Sequence, residues 1–448
     1  MLNLKKFFLI SVSLGALVPI SFASNSVDDG SGIPDSVLPQ EVASDLKIEL
    51  NAYMHFQAGY LNQNKLVDRE KNVSRNKEHI AFYNESAFAA NISADSEDLT
   101  YGGKIVLVPT TKKKGGSDFN GSHIYLQNGY GKLQLGCPVP PSSVMMIKGS
   151  TISIGTFDNW NRYADTRTAY LSQGFRMSPS FATAINYYTD SKLLASVAGK
   201  SYSTEPARSI AYYTPKFKLG NTGKLQLGVS YSPDSSNTGV DNPNVSGTKA
   251  STYIINNNGS GGVDYTIRIF PSVKDIMTAG IVLEQKFTDE VKLKVAATGE
   301  YGKSTSKVIK FSGGNKDNNL KLSDLKTFNI GTILEIGNIS CASGYGTLGK
   351  SLTTPEVHKT GRKTDYYSGA IAYKEGPFAA SISYFKSIQY KNTVDAISLG
   401  THYQLAPGFK PYAEISTFTL KGKPEAYPEF KKRKSKGIVL LLGTKLSL

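Results

Sequence analysis

The segment LKIELNAYMHFQAGYL, residues 46–61, alternates apolar and polar side chains along most of its length. Apolar residues such as Leu50 and Phe56 take the even positions, and polar residues such as Glu49 and His55 take most of the odd ones. A period of two residues is that of a β-strand with one apolar and one polar face. Because ordinary strands have about five or six residues, this predicted strand is unusually long.

The same alternation recurs along the chain and predicts about sixteen strands in all. An Asn128-Gly129 turn joins two of them as a hairpin. After the opening strand, the predicted strands are 80–94, 99–108, 123–127, 131–136, 208–214, 224–232, 275–285, 291–301, 325–336, 339–346, 365–374, 378–386, 393–405, 409–420 and 436–448.

The connections between these strands alternate in length. The long ones are 62–78, 110–121, 137–206, 233–274, 302–324, 348–363 and 421–435. The connection 388–391 stands where an eighth long connection is expected, but it is short. The short ones are 95–98, 129–130, 215–222, 287–289, 337–338, 375–377 and 406–408. Loops sorted by length in this way are typical of an up-and-down barrel with turns at one end and loops at the other.

We therefore predict an all-β fold for residues 46–448: a transmembrane, antiparallel, up-and-down β-barrel of about 16 strands. Such a barrel must close, because lipid cannot satisfy the backbone groups of a strand edge. Sixteen strands enclose a water-filled lumen, so the apolar face would meet hydrocarbon and the polar face water. A secreted β-sandwich or solenoid also alternates and stays an open alternative, although neither explains the sorted loop lengths.

The N-terminal residues predict export from the cytoplasm. Two lysines precede the apolar stretch FFLISVSLGALVPI, and Ser21-Phe22-Ala23 fits a small-x-small cleavage site. We predict a signal peptide at 1–23, cut after its last residue. An uncleaved membrane anchor is the alternative, but the stretch is short for a span and no stop-transfer flank follows. The polar, proline-containing residues 24–45 are predicted to be a periplasmic lead-in.

Composition narrows the possible partners. The formal net charge is +15, which can indicate nucleic acid, an acidic surface or an anion path, and export argues against nucleic acid. The two cysteines, Cys137 and Cys341, are too few for a disulfide scaffold; whether they pair stays open. Tyrosines near predicted strand ends suit an interfacial girdle, although β-propensity alone also explains them: Tyr60, Tyr101, Tyr231, Tyr301 and Tyr403.

Parity within the strands selects candidate lumen residues. Charged side chains opposite the apolar phase would line the pore: Lys47, Glu49, Lys104, Lys132, Lys292 and Lys294. Two interpretations are open, a lumen that attracts anions and a lumen that is merely wettable. The basic runs 112–114 and 431–436 are either solvated loops or sites for lipid phosphates and anions.

No catalytic or metal-binding motif emerges, and no cofactor is predicted. The five histidines show no pairing with Ser, Asp or Cys at motif spacing, and neither HExxH nor GxSxG occurs. Because spatial triads need no sequence motif, a hydrolytic barrel stays an alternative that measured hydrolysis would support.

Several segments resemble the trimeric general porins of Gram-negative outer membranes. GTHYQLAPGFKPYAEIS (400–416) resembles the penultimate hairpin of that family, and YGGKI (101–105) resembles its third strand. GYGKLQLG (129–136) and RSIAYYTPKFKLG (208–220) resemble the strands that enter and leave its constriction loop, and AGIVLEQKF (279–287) a central strand. The order and spacing of these segments across residues 46–448 carry the resemblance.

The resemblance implies that residues 137–206 fold into the lumen as a constriction loop. Its charged candidates are Asp158, Arg162, Asp165 and Arg167; a plain solvated loop is the alternative. The resemblance also implies a homotrimer in outer-membrane lipid, assembled by machinery that reads the C-terminal strand 436–448. The chain departs from the family by ending in Leu448 rather than an aromatic residue, and by carrying Gln134 and Cys137 where basic wall residues are usual.

The sequence thus predicts an outer-membrane porin for passive diffusion of small hydrophilic solutes and ions, without enzymatic activity. Two alternatives stay open: a surface adhesin or antigen that works through its long loops, and a channel specific for phosphate-like anions.

Overall fold

The computed structural model of the chain describes residues 46–64, 79–110, 116–156, 159–164, 208–234, 251–255, 265–270, 273–305, 307–312, 315–320, 323–351, 364–389, 392–421 and 434–448. These residues belong to the compact unit Ser44–Leu448. Its strands are β1 (Lys47–Gln63), β2 (Ile80–Ser96), β3 (Leu99–Thr110), β4 (Gly116–Asn128), β5 (Gly131–Gly136), β6 (Ser209–Tyr213), β7 (Phe217–Leu219), β8 (Gly223–Asp234), β9 (Ser251–Ile255), β10 (Tyr265–Phe270), β11 (Val273–Lys286), β12 (Val291–Ser304), β13 (Lys307–Ser312), β14 (Asn315–Leu320), β15 (Leu325–Ile336), β16 (Ile339–Gly349), β17 (Thr364–Glu375), β18 (Phe378–Gln389), β19 (Asn392–Tyr403), β20 (Phe409–Lys421) and β21 (Lys434–Ser447).

The helical elements are short. They are α1 (Pro141–Val144), a 3₁₀ turn (Gly149–Thr151) and α2 (Trp160–Tyr163). Within the part of the chain that the structure describes, none of the helices could span a lipid bilayer.

The strands form a closed antiparallel barrel. Seventeen of them belong to one sheet, in which successive barrel strands pair and β1 pairs with both β2 and β21. The sheet closes through pairs such as Met54 with Leu446. Because β6 and β7 both pair with β8 on either side of residues 214–216, they form one interrupted barrel strand, and the barrel has sixteen. This confirms the predicted fold class.

The barrel wall has two chemically different faces. On β1, the outward Met54 and Phe56 are 54% and 49% exposed, whereas the inward His55 and Gln57 are 2% and 0% exposed. The outward apolar phase continues around the barrel, for example at Leu442. Such a band fits the hydrocarbon layer. The tyrosines named above as girdle candidates are all exposed.

A second, smaller sheet forms where the sequence predicted only long connections. It has the order β14-β13-β10-β9 and joins the connection 233–274 to the connection 302–324 through the pairing of β10 with β13. The connection 110–121 is also shorter than predicted, because β4 begins at Gly116.

Some sequence predictions fall outside the described residues. They are the signal peptide 1–23, the lead-in 24–45 and the basic runs 112–114 and 431–433. Cys137 and Cys341, which are both described, are not joined by a disulfide bond.

Candidate pore constriction

After β5 the chain leaves the barrel wall and runs inside the barrel. Pro138, Pro140 and Pro141 follow the strand closely, and proline cannot continue a ladder because it lacks an N–H donor. We call residues 138–156 and 159–164 the inner segment. Its α1 packs against β8, β11 and β12, where the Ser142 hydroxyl donates a 2.7 Å hydrogen bond to Glu300.

The middle of the inner segment is fastened to the opposite strands. The backbone N–H of Gly149 donates to Ser368 Oγ at 2.9 Å, and that of Ile154 donates to Ser381 Oγ at 2.7 Å. These backbone groups therefore find hydroxyl partners on the inner wall, as buried N–H groups require.

Wall glycines allow this close approach. A Cβ built on Gly331 would lie 2.1 Å from the carbonyl oxygen of Ile147, and one built on Gly400 would lie 2.1 Å from that of Ile154. Real Cβ atoms do not approach backbone oxygens so closely, so a side chain at either position would displace the inner segment. The glycines thus form the seat on which the segment lies.

Beyond this seat the inner segment reaches β20 and β21. Thr156 donates to Glu414 Oε2 from its backbone N–H at 2.6 Å and from its hydroxyl at 2.9 Å. Lys445 Nζ donates to the carbonyl oxygen of Gly155 at 2.7 Å. These bonds hold the end of the stretch 138–156 against the wall.

The α2 helix is anchored by aromatic and amide groups. Trp160 is fully buried and stacks on Phe418 of β20, with ring centroids 4.6 Å apart. Gln57 of β1 donates to the Tyr163 hydroxyl at 3.1 Å and accepts from Asn159 at 3.0 Å. Burial raises the pKa of the Tyr163 phenol above its ordinary value.

Arg162 links α2 to the first barrel hairpin. Its guanidinium lies 3.9 Å from the Glu85 carboxylate and 4.1 Å from the centre of the Tyr83 ring. The Tyr83 hydroxyl donates to the same carboxylate, and His55 Nδ1 lies 3.4 Å from it. Of the four charged candidates predicted in this loop, Arg162 is the one that the structure describes; the others, Asp158, Asp165 and Arg167, lie outside the described residues.

A polar cavity of about 370 Å³ lies between the inner segment and the wall formed by β1, β2 and β21. Two lysines, Lys148 and Lys445, and one carboxylate, Glu85, provide its charges. The remaining lining residues are Tyr53, His55, Ser150, Ser153, Gly155, Thr156 and Asn159. Water and small polar solutes can be solvated by such a lining.

Two of the predicted lumen residues lie on β1 with neighbouring partners. Lys47 and Glu49 share the inward face with His55. Lys47 Nζ forms a 2.6 Å ion pair with Asp95, and the Asn91 amide donates to Glu49 at 3.2 Å.

Two more of the predicted lumen residues, Lys104 and Lys132, lie on the wall formed by β3, β4 and β5. Lys104 is opposite Asn91 and His123 in the sheet register. Lys132 Nζ lies 4.1 Å from the centre of the Tyr125 ring. This part of the wall therefore contributes two lysines, Lys104 and Lys132.

The last two, Lys292 and Lys294, lie on the inward face of β12. Lys294 forms a 3.3 Å ion pair with Glu284, which also lies 3.4 Å from Lys216. Lys292 is opposite Glu335 in the register. All six candidates thus face inward, but the described structure does not bring them together in the cavity.

The residues that do line the cavity were largely missed from the sequence. The odd phase of β1 already contained Tyr53 and His55, so parity could have included them. Nothing in the sequence links Glu85, Lys148 and Lys445, because they meet only when the barrel closes and the inner segment folds inward. Within the described residues, no group of three or more His, Cys, Asp or Glu could hold a metal ion.

Comparison with known proteins finds relatives by sequence and solved structures that share the fold of the chain. No protein-family profile matches the chain. An uncharacterized protein of Rickettsia bellii (strain RML369-C) is 40% identical over 455 residues, covering 99% of this chain and 100% of the relative. One of Rickettsia prowazekii (strain Madrid E) is 40% identical over 417 residues, covering 90% and 93%. The chain belongs to the same family as these rickettsial proteins.

Solved structures with the same fold are outer-membrane proteins. The anion-selective porin from Comamonas acidovorans has a TM-score of 0.51 at 13% identity, with 90% of this chain and 100% of that chain covered. A loop L8 deletion mutant of OmpT, an outer membrane protein of Vibrio cholerae, has a TM-score of 0.50 at 12% identity, with 90% and 99% covered. The chain therefore has the barrel fold that porins have.

Proposed function

We propose that the protein is an outer-membrane porin, a water-filled channel for passive diffusion of small hydrophilic solutes and ions. The observation that carries this proposal is the inner segment, which is fastened across the inside of a closed sixteen-strand barrel and narrows it beside a polar cavity. A barrel of this size leaves an aqueous lumen, and a loop inside it sets the size of the solutes that pass.

Fixed charges would give the channel its ion preference. Lys445 and Glu85 flank His55 on neighbouring strands of the wall, and Lys148 lines the same cavity from the inner segment. Charges of both signs in one cavity orient water and disfavour apolar solutes. The inward lysines, Lys104 and Lys132 among them, support a weak anion preference, with ion pairs such as that of Lys294 offsetting part of their charge.

The outward face supports a location in the outer membrane. Exposed apolar side chains at membrane depth need hydrocarbon around them. The predicted signal peptide 1–23 would export the chain, and the barrel-assembly machinery would read the strand 436–448. In the barrel, residues 436–447 belong to β21, which pairs with β1 and completes the cylinder.

We also propose a homotrimer. The resemblance to the general porins implies three copies, and the barrel wall offers a place for a neighbour. A tilted strand needs about 9–11 residues to cross the hydrocarbon layer, whereas β5 has six. A second copy packed on this low part of the wall would cover it. The mass of the folded protein in detergent tests the proposal: three chains are expected, and a folded monomer would contradict it.

Liposome swelling tests the proposed function. The purified, folded full chain is placed in vesicles that are diluted into isosmotic solutes of increasing size, from glycerol to trisaccharides. We expect swelling rates that fall steadily with solute size, because diffusion past the inner segment is sterically limited. Vesicles that contain folded protein, shown by its β-sheet circular dichroism, but swell no faster than empty ones would contradict the proposal.

A further inference from the structure

We propose that three lysines on the outside of the barrel, at the adjoining ends of β20 and β21, bind the phosphate group of an anionic membrane lipid. They are Lys421, Lys434 and Lys436, and we call them the lysine patch. The inference rests on the proposed location in the outer membrane. It goes beyond the channel function, because it concerns the outer wall of the barrel and not the lumen.

The lysine patch lies on the outward face of two neighbouring strands. Lys421 is the register partner of Lys434, and the next pair, Leu420 with Ser435, is fully buried. Because successive side chains of a strand point to opposite faces, the two lysines point away from the lumen. Lys436 follows Lys434 by two residues and shares its face, and all three lysines are exposed.

Lys421 and Lys434 form a pair of like charges in the sheet. The Cβ atoms of directly opposed residues in an antiparallel pair are about 4.5–5.5 Å apart, and like charges at such positions are destabilising. An anion that accepts hydrogen bonds from both ammonium groups relieves this repulsion and gains charge-assisted hydrogen bonds. Lys436 adds a third ammonium group beside the pair.

One acid lies beside the lysine patch. Asp395 is on the outward face of β19, and Thr419 separates it from Lys436 in the register. The Asp395 carboxylate lies 3.7 Å from Lys386 Nζ and accepts a 3.1 Å hydrogen bond from the Tyr384 hydroxyl. Because Lys386 balances the charge of Asp395, the patch keeps the positive charge of its own three lysines.

The other neighbours do not reverse the sign of this charge. Glu414, the second acid of the strands β18 to β21, is buried on the inward face of β20. On the side of β1, the uncharged Asn64 accepts a 2.6 Å hydrogen bond at Oδ1 from the backbone N–H of Lys436. The connecting residues 422–433 add four basic and two acidic side chains by sequence.

The position of the patch favours a lipid over a soluble anion. Lys421 is the last residue of β20 before a long connection, and the long loops of an outer-membrane barrel are extracellular. Along β21 the next outward residues are the exposed Ile438, Leu440 and Leu442. Since a strand rises about 3.3 Å per residue, these side chains begin about 7 Å from Lys436. A lipid can therefore place its phosphate on the lysines and its acyl chains on the apolar side chains.

Native mass spectrometry of the full chain in detergent tests the inference. Phosphatidylglycerol and phosphatidylcholine with the same acyl chains are titrated, and the lipids retained per chain are counted. We expect the anionic phosphatidylglycerol to be retained at lower concentration. The patch variant Lys421→Gln/Lys434→Gln/Lys436→Gln should raise its dissociation constant about tenfold or more, because each lysine near an anionic headgroup contributes a factor of about five. Arginine at all three positions should restore binding.

The matched control is Lys224→Gln/Lys374→Gln/Lys410→Gln, which removes the same charge from inward positions at the turn end of the barrel. It should bind phosphatidylglycerol like the wild type, and circular dichroism shows that each variant is folded. Equal retention of the two lipids by the wild type, or a folded patch variant with unchanged affinity, would overturn the inference.

Two further outcomes would assign the lysines to another partner and also overturn the inference. Release of the bound lipid by an equal concentration of inorganic phosphate would indicate a site for a soluble anion. A patch variant that loses neighbouring chains but keeps its lipid would indicate a contact between copies. Conductance of the same preparations shows separately whether the channel function holds.

Discussion

Trp160 on the inner segment stacks on Phe418 of β20, with ring centroids 4.6 Å apart and planes inclined by 16°. Trp160 is fully buried and Phe418 is 3% exposed. The pair joins the end of the described inner segment to a strand more than 250 residues later in the chain. It belongs to a buried cluster that includes Tyr366 and Leu420, so the inner segment shares a hydrophobic core with the barrel wall.

We predict that Trp160→Ala releases α2 from the wall. Truncating a buried Trp costs about 3–5 kcal/mol, more than the nearby hydrogen bonds can supply. Single-channel recordings should therefore show a larger mean conductance with frequent transitions between levels. Tyr130→Ala, in an exposed turn between β4 and β5, is the control and should conduct like the wild type. A Trp160→Ala channel with steady, unchanged current would show that the stacking does not hold the constriction.

A second prediction concerns the glycine seat. Gly400→Ala would place a Cβ 2.1 Å from the Ile154 carbonyl oxygen, whereas at Gly103 the nearest backbone oxygen is 3.8 Å away. We expect Gly400→Ala to displace the inner segment, at a cost of about 1–3 kcal/mol, and to change the conductance. Gly103→Ala should leave the conductance unaltered. If the two alanine variants conduct alike, the inner segment does not lie as closely on Gly400 as described.

A third prediction concerns ion preference. Glu85→Gln removes the carboxylate of the cavity and with it the 3.9 Å ion pair between Glu85 and Arg162. The ratio of chloride to potassium permeability should rise about two- to threefold, a modest change because the pair is partly exposed and screened by salt. The zero-current potential across a KCl gradient measures this ratio. Glu375→Gln, at the exposed end of β17, is the control, and a shift as large there would contradict a special role for Glu85.

A fourth prediction tests the assignment of the two faces. Leu442 points outward from the central part of β21 and is 65% exposed. Leu442→Lys should destabilise the barrel in lipid by about 2–4 kcal/mol, the cost of a lysine at the bilayer midplane. Asn51→Lys, on the inward face of β1, should cost less than about 1 kcal/mol because water solvates it. Urea unfolding in lipid vesicles measures both, and equal losses would contradict the assignment.

Much of the barrel could be predicted because strand alternation is a local signal. Met54 and His55 lie on opposite faces as the period of two requires, and the sequence identifies the phase of β1 without knowledge of its partners. The small sheet of β9, β10, β13 and β14 escaped prediction because its two halves lie in separate connections. Their pairing depends on the barrel strands that bring those connections together.

The site was harder to predict than the fold. No pattern marks Gly331 or Gly400 as the glycines beneath the inner segment, because that contact depends on the path of a chain without periodicity. Lys445 and Glu85 become neighbours of the same cavity only after β21 closes on β1. The sequence could propose which charges face inward, but their convergence is a property of the closed barrel.

Planar-bilayer conductance of the refolded full chain tests the central claim most directly. If the closed barrel encloses an aqueous path narrowed by the inner segment, discrete current steps should appear in KCl, grouped in threes if the protein is a trimer. Folded protein that inserts into the bilayer and carries no current across repeated preparations would contradict the account.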